Sequence, residues 1–282
     1  MRKQLLLILL IIIIFLSGCT TSTKEKVSSV GLSTVLTSDV KQAKTSMPVT
    51  FILTVKNLAS ESAKDISTEL LNLTGWEVED ALKNLDELLS NDLYKFSWIA
   101  YAPSIPNKTF TAFAGILYSM ETKANLTLRV YDNNYLNTLK QAEKDKIKGK
   151  SALLSSSISK NTPVTVTVSL QQPFVLTSYS QKFPFVIEIK NVGLGQTYGD
   201  EPDYPPRESE KNYVKFSYAT DSNIYCDHDD GDLIELLKGS KSIACKLMVT
   251  QDELNNYADF AIDFTISYVY LDKASIKIAV VD

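Results

Sequence analysis

The stretch Ile116-Leu-Tyr-Ser-Met-Glu-Thr-Lys-Ala-Asn-Leu-Thr-Leu-Arg-Val130 decides the fold, because it occurs twice. It aligns without gaps with Ile266-Ser-Tyr-Val-Tyr-Leu-Asp-Lys-Ala-Ser-Ile-Lys-Ile-Ala-Val280, 150 positions later. Tyr118 and Tyr268, Lys123 and Lys273, and Ala124 and Ala274 stay in register, as does the apolar alternation. A second ungapped match, Phe51-Ile-Leu-Thr-Val-Lys-Asn57 with Phe185-Val-Ile-Glu-Ile-Lys-Asn191, precedes it in both halves. One such match can arise by chance; two in the same order indicate two copies of one domain.

Both copies read as strands. Val164, Val166 and Val168 alternate with Thr165, Thr167 and Ser169. Phe183, Phe185, Ile187 and Ile189 do the same, as do Ile243, Cys245, Leu247 and Val249, and then Phe260 through Tyr268. A period of two marks strands with one buried and one wet face. Such strands build antiparallel sandwiches, whereas strands of parallel sheets are apolar on both faces. Turn residues fall between them: Asn191-Val-Gly193-Leu-Gly195, Asp230-Gly231 and Lys238-Gly239. Thr122-Lys123-Ala124 and Asp272-Lys273-Ala274 read as the equivalent hairpin tips of the two copies.

A strand ending in Lys-Asn, a later Tyr-bearing strand, a short charged turn and a last alternating strand resemble immunoglobulin-like sandwiches. More narrowly, the chain resembles the tandem Ig-like (CARDB-like) modules of archaeal and bacterial surface proteins. Asn191-Val192-Gly193 matches their strand-end Asn-x-Gly; Asn57-Leu58-Ala59 keeps the Asn and lacks the Gly. The resemblance implies scaffolding, adhesion or display outside the cell and brings no catalytic residues. The expected fold is all-β: two tandem immunoglobulin-like antiparallel β-sandwiches, with a short helix inserted in the first.

That helix is expected from Thr74-Gly75-Trp76-Glu77, which reads as a capping box. Behind it Val78, Ala81, Leu82, Leu85, Leu88 and Leu89 recur at threes and fours. The second copy instead carries Gln196 to Asn212, rich in Pro, Tyr and acid. A loop of this length in a compact domain is usually functional or disordered. Its candidate binding residues are Tyr198, Asp200, Asp203, Tyr204, Arg207 and Tyr213, since exposed Tyr offers large contact area at low entropic cost. The bland alternative is that the tyrosines pack the loop onto its own sandwich. Between the copies, the charged run from Asn137 to Lys150 reads as a solvated helical or coil connector.

The chain starts Met1-Arg2-Lys3-Gln4 and continues with the apolar run Leu5 to Leu16. A helix over that run spans about 18 Å, short of the roughly 30 Å hydrocarbon core, so it reads as a signal peptide. Leu16-Ser17-Gly18-Cys19 resembles a lipobox, the processing site of secreted lipoproteins. The resemblance implies cleavage before Cys19, lipidation of its thiol and a membrane partner through the lipid anchor. The polar residues that follow, Thr20 to Ser29, carry too little apolar surface to fold and read as a tether. The expected division is therefore 1–18 signal peptide, 19–29 tether, 30–135 first Ig-like domain, 136–160 linker and 161–282 second Ig-like domain.

With Cys19 lipidated, Cys226 and Cys245 remain as a pair, which in an exported protein is expected to be a disulfide. A net charge of −4 with no basic stripe argues against a nucleic-acid partner. The densest acidic run is Asp227-His228-Asp229-Asp230-Gly231-Asp232. It departs from the calcium-loop pattern, because Gly falls at the fifth position and Asp at the sixth. Asp227, Asp229, Asp230 and Asp232 therefore read as a solvated turn, with a surface cation site as the lesser alternative. His228 is the single histidine, which leaves no second imidazole for a zinc-protease site. Sequons begin at Asn72, Asn107 and Asn125, a number close to chance for this composition.

These readings converge on a non-catalytic, lipid-anchored protein of the extracytoplasmic membrane face, without cofactor, in a structural or adhesive role. Its further partner is an unidentified protein or glycan. The alternative is a glycan- or peptide-binding accessory lipoprotein of an envelope transport or secretion assembly.

Overall fold

The computed structural model describes residues 28–170, 173–201, 204–219 and 223–282. They form an all-β body of antiparallel sheets. The first copy supplies β1 (Leu32–Ser38), β2 (Gln42–Lys44), β3 (Pro48–Asn57), β4 (Ala63–Leu71), β5 (Glu77–Val78), β6 (Leu82–Leu88), β7 (Leu93–Tyr101) and β8 (Lys108–Asp132). Two helices follow, α1 (Asn133–Thr138) and α2 (Gln141–Lys148), and then β9 (Leu153–Ile158). The second copy supplies β10 (Val164–Ser169), β11 (Phe174–Leu176), β12 (Ser180–Asn191), β13 (Gln196–Tyr198), β14 (Tyr213–Tyr218), β15 (Ile224–Cys226), β16 (Asp232–Glu235), β17 (Ser240–Thr250) and β18 (Tyr257–Val281).

Each copy builds one small sheet, in the order β1-β3-β7-β5 and β10-β12-β17-β15. A shared sheet runs β16-β14-β18-β8-β4-β6. The small sheets lay their apolar faces on it. In the first copy Phe51 meets the edge of Trp76 at 5.9 Å and Trp76 meets Phe110 at 5.8 Å. In the second, Phe185 lies 6.4 Å from Phe264. The alternation in β3 and β12 is what makes this layering possible: Phe51, Leu53 and Val55, like Phe185, Ile187 and Ile189, are all buried.

The repeated Lys-Asn at the ends of β3 and β12 has a physical reason. Asn57 accepts from the Ala59 N–H at 3.0 Å and donates to the Glu61 carbonyl at 2.8 Å. Asn191 accepts from the Gly193 N–H at 3.1 Å and donates to the Gly195 carbonyl at 3.1 Å. The same side-chain turn therefore closes both strands, satisfying one donor and one acceptor each time.

The two halves join differently from the sequence-based expectation. Thr122-Lys123-Ala124 and Asp272-Lys273-Ala274 are not hairpin tips. They lie inside β8 and β18, which each run unbroken for 25 residues. None of the six is Gly, Pro or Asn, and no residue of either strand has positive φ, so nothing there makes a tight turn. The two strands pair antiparallel along their length, from Tyr131↔Tyr257 to Lys108↔Val280. Each strand thus begins in its own copy and ends in the other. The end of β8 pairs in parallel with β11 of the second copy, at Val130↔Phe174. The end of β18 pairs in parallel with β2 of the first, at Val280↔Ala43.

The expected helix is also replaced. Trp76 is a core residue rather than part of a helix start, and 82–88 is the edge strand β6, paired to β4 through Leu85↔Ile66 and Leu88↔Ala63. Asp80, with a φ of 44°, interrupts any helix there. The three-residue step from Leu85 to Leu88 reflects a change of phase at exposed Asp86 and Glu87, opposite an irregularity in β4 between Lys64 and Ser67. A bulge shifts the side-chain period and so imitates helical spacing. The helices lie instead in the charged connector, where α2 buries no residue.

Candidate functional site

The irregularity in β4 is also the place where the copies diverge. In the first copy Lys64 pairs with Ser119 and Ser67 with Leu117. In the second, the equivalent pairs are Tyr198 with Val269 and Lys215 with Ser267. The long loop of the second copy is thus an insertion at a bulge, between β13 and β14. Both sites leave the strand through a residue of positive φ: Asp65 at 49° in the short version and Gly199 at 39° in the long one.

The loop folds back over the outer face of the shared sheet. Tyr198 is buried against Leu117 and Val269, and half-buried Tyr204 and Leu271 complete the cluster. The Tyr204 hydroxyl donates to Glu69 Oε2 at 3.0 Å, and burial, then this bond, pushes its pKa up. Asp200 accepts from Lys215 Nζ at 2.7 Å. Arg207 pairs with Glu201 at 2.8 Å and Glu210 at 3.2 Å. Tyr213 starts β14, half-buried. Two of the three tyrosines proposed for recognition therefore hold the loop down. Asp203 lies outside the described residues, as does Cys19.

Beside the loop, an open cleft of about 310 Å³ is lined by Glu61, Lys64, Ser119, Glu121, Lys123 and Asp200, among others. The elements that place these groups are the β3–β4 turn, the centre of β8 and the first residues of the inserted loop. Glu61 accepts from the Ser159 hydroxyl at 2.8 Å, and Lys123 lies 3.3 Å from Glu121 and 3.7 Å from Glu61. The hydrogen bond and charge of Glu121, with Glu61 adding less, hold the Lys123 ammonium above its ordinary pKa. The cleft offers charged hydrogen-bonding groups of both signs to a polar ligand. In the sequence Lys123 stands out as a repeat marker and an expected hairpin tip, and nothing singles out Glu61 or Glu121 as site residues, because the cleft unites residues about sixty and more positions apart in the chain.

The acidic turn uses its carboxylates locally. Asp227 accepts from the Ala244 N–H at 3.1 Å, Asp230 from the Tyr218 N–H at 2.9 Å and Asp232 from the Asp229 N–H at 2.9 Å. His228 Nδ1 is 3.7 Å from Asp232. Among the described residues no group of three or more His, Cys, Asp or Glu could hold a metal ion. Cys226 and Cys245 are joined by a disulfide between directly opposed residues of β15 and β17.

Beneath the cleft, the inner face of the seam carries three buried tyrosines. Tyr118 accepts from the Leu32 N–H at 3.4 Å. Thr122 donates to the Val164 carbonyl at 2.7 Å and lies 3.2 Å from the Tyr268 hydroxyl. Tyr270 accepts from the Gly195 N–H at 2.9 Å and reaches Asn191 Oδ1 at 3.2 Å. Burial raises all three phenol pKa values, so they are neutral hydrogen-bonding struts.

No protein-family model matches the sequence, and no curated protein does. Among solved structures, the secreted serine protease VesC from Vibrio cholerae is 9% identical, with a TM-score of 0.24, over 90% of this chain and 52% of that one. Red sea bream transglutaminase is 9% identical, with a TM-score of 0.23, over 89% and 31%. The collagen adhesin CNA from S. aureus is 8% identical, with a TM-score of 0.14, over 86% and 81%. The chain thus spans about half the length of the protease and under a third of the transglutaminase. At these scores the likenesses carry no argument about function.

Proposed function

We propose that this protein is a non-catalytic, lipid-anchored spacer or scaffold on the extracytoplasmic face of a membrane, made of two Ig-like halves. The observation that carries the mechanical part is the shared pair β8 and β18. At about 3.3 Å per residue, 25 residues extend roughly 80 Å, so one continuous two-stranded beam crosses both halves. Two sandwiches joined by a loose linker would swing; a common beam transmits position from one to the other. The leader and Leu16-Ser17-Gly18-Cys19 support the anchor, and the Cys226–Cys245 disulfide suits an oxidising compartment.

Replacing Cys19 by Ser tests the anchor. The protein should leave the membrane fraction or keep its leader, as read by fractionation and the mass of the mature N-terminus. Retention on membranes with the leader removed would overturn lipidation. A second reading, an accessory that binds a peptide or glycan, is favoured by the charged cleft beside Asp200. Lys123→Ala with Glu61→Ala would abolish such binding and leave a pure scaffold unaffected in thermal stability and fractionation.

A further inference from the structure

The ends of β8 and β18 complete sheets that belong to the opposite copy. Without residues 272–281 the first copy loses the strand between β8 and β2, and with it the buried side chains of Ala274, Ile278 and Val280. Their alternation fills one apolar face, the arrangement by which a donated strand recognises a sheet that lacks one. Nothing in this pairing requires that donor and acceptor be the same chain. Every hydrogen bond and buried contact of the seam would be reproduced if β18 of one molecule lay on β8 of another, which is the low-cost route to domain-swapped assemblies.

We propose that the β8–β18 seam is an exchangeable interface, and that the partner it fits is a second copy of this chain. The second half of β18 then complements the first copy of a neighbouring molecule in the register seen here. Chains linked in this way join head to tail or close into dimers. Because the contacts are the same, the balance rests on concentration. Within one chain the arm meets its groove at an effective concentration on the order of millimolar, so the closed form dominates in dilute solution. The open form gains as local protein concentration approaches that value. The inference goes beyond the scaffold reading and stands without the lipid anchor.

The test uses full-length chains carrying Cys19→Ser. Thr111 and Lys277 are directly opposed on the outer face of the seam. One chain carries Thr111→Cys and another Lys277→Cys; they are mixed, unfolded with the native disulfide intact, refolded together and mildly oxidised. A 111–277 disulfide between molecules forms only if β18 of one lies on β8 of the other. The expected result is a crosslinked dimer whose fraction rises roughly in proportion to concentration below about 1 mM. A chain carrying both substitutions should crosslink within itself at every concentration, which reports correct folding. Three results would overturn the proposal: no intermolecular crosslink at about 0.5 mM, equal crosslinking of Lys277→Cys with the misregistered Thr109→Cys, or failure of the double variant to close within one chain.

Discussion

Ser119 and Val269 lie directly opposite each other at the centre of the β8–β18 seam, and they are also the same position in the two copies. The repeat relates residue n to n + 150, and the pairing relates n to 388 − n; both hold together only about a two-fold axis through this pair. Tyr118↔Tyr270 and Met120↔Tyr268 flank it symmetrically. The chain is thus arranged as a dimer whose two protomers have been fused.

The first prediction concerns the two strand-end asparagines. Asn57 is fully buried and also donates to the Leu88 carbonyl at 3.0 Å, so Asn57→Ala strands several buried polar groups. A loss of about 3 kcal/mol in urea unfolding is expected. Asn191 is half-buried and water reaches its partners more easily, so Asn191→Ala should cost about 1 kcal/mol. Equal losses would contradict this assignment.

Reducing the disulfide removes a constraint across 19 positions of chain. The expected cost is about 3 kcal/mol, seen as a lower thermal midpoint in reductant and in Cys226→Ala with Cys245→Ala. Because β15 is an edge strand, its amides should be the first in the second copy to lose hydrogen-exchange protection.

Asp272 gives a dependence on pH. It is buried, it accepts from the Lys273 N–H at 2.8 Å, and burial raises its pKa. The folded state therefore holds this proton more tightly than the unfolded chain does. Its contribution to stability is greatest below the ordinary carboxylate pKa near 3.9 and falls as pH rises through the raised value. Asp272→Asn should be more stable than the parent at pH 7 and lose that advantage near pH 3. A parent-like stability curve across this range would show that the carboxylate is compensated in the fold.

Asp259 has the opposite sign. Its bidentate pairing with Arg129, at 2.6 and 2.7 Å, lowers its pKa, so its stabilisation is present at neutral pH and disappears as the carboxylate protonates in acid. Both groups are partly exposed, and Arg129→Ala should cost at most about 1 kcal/mol by chemical denaturation at pH 7, a cost that shrinks as acid protonates Asp259.

The inserted loop can be probed at Tyr204. Tyr204→Ala removes its contacts in the cluster with Leu117 and Val269 and its hydrogen bond to Glu69, at a cost of about 2 kcal/mol. Tyr204→Phe should cost less than about 1 kcal/mol. The exposed Tyr225 serves as control, with Tyr225→Ala within about 0.5 kcal/mol of the parent.

The sequence by itself determined the β class, the alternating inner faces, the Lys-Asn ends of β3 and β12 and the pairing of Cys226 with Cys245, because each rests on local chemistry or on elimination among few residues. It also showed the repeat. It did not show whether Thr122-Lys123-Ala124 turns back or runs on, since the same alternating pattern serves a hairpin in one sheet and a single strand crossing two. That choice belongs to long-range pairing: β8 finds along β18 a partner for its whole length, where a hairpin would have to place a tight turn on residues unsuited to it. Likewise Leu85 and Leu88 carry a helical spacing that only their partners in β4, Ile66 and Ala63, convert into a strand. The cleft beside Asp200 was illegible for the same reason, because Glu61, Glu121 and Asp200 become neighbours only once the seam has formed.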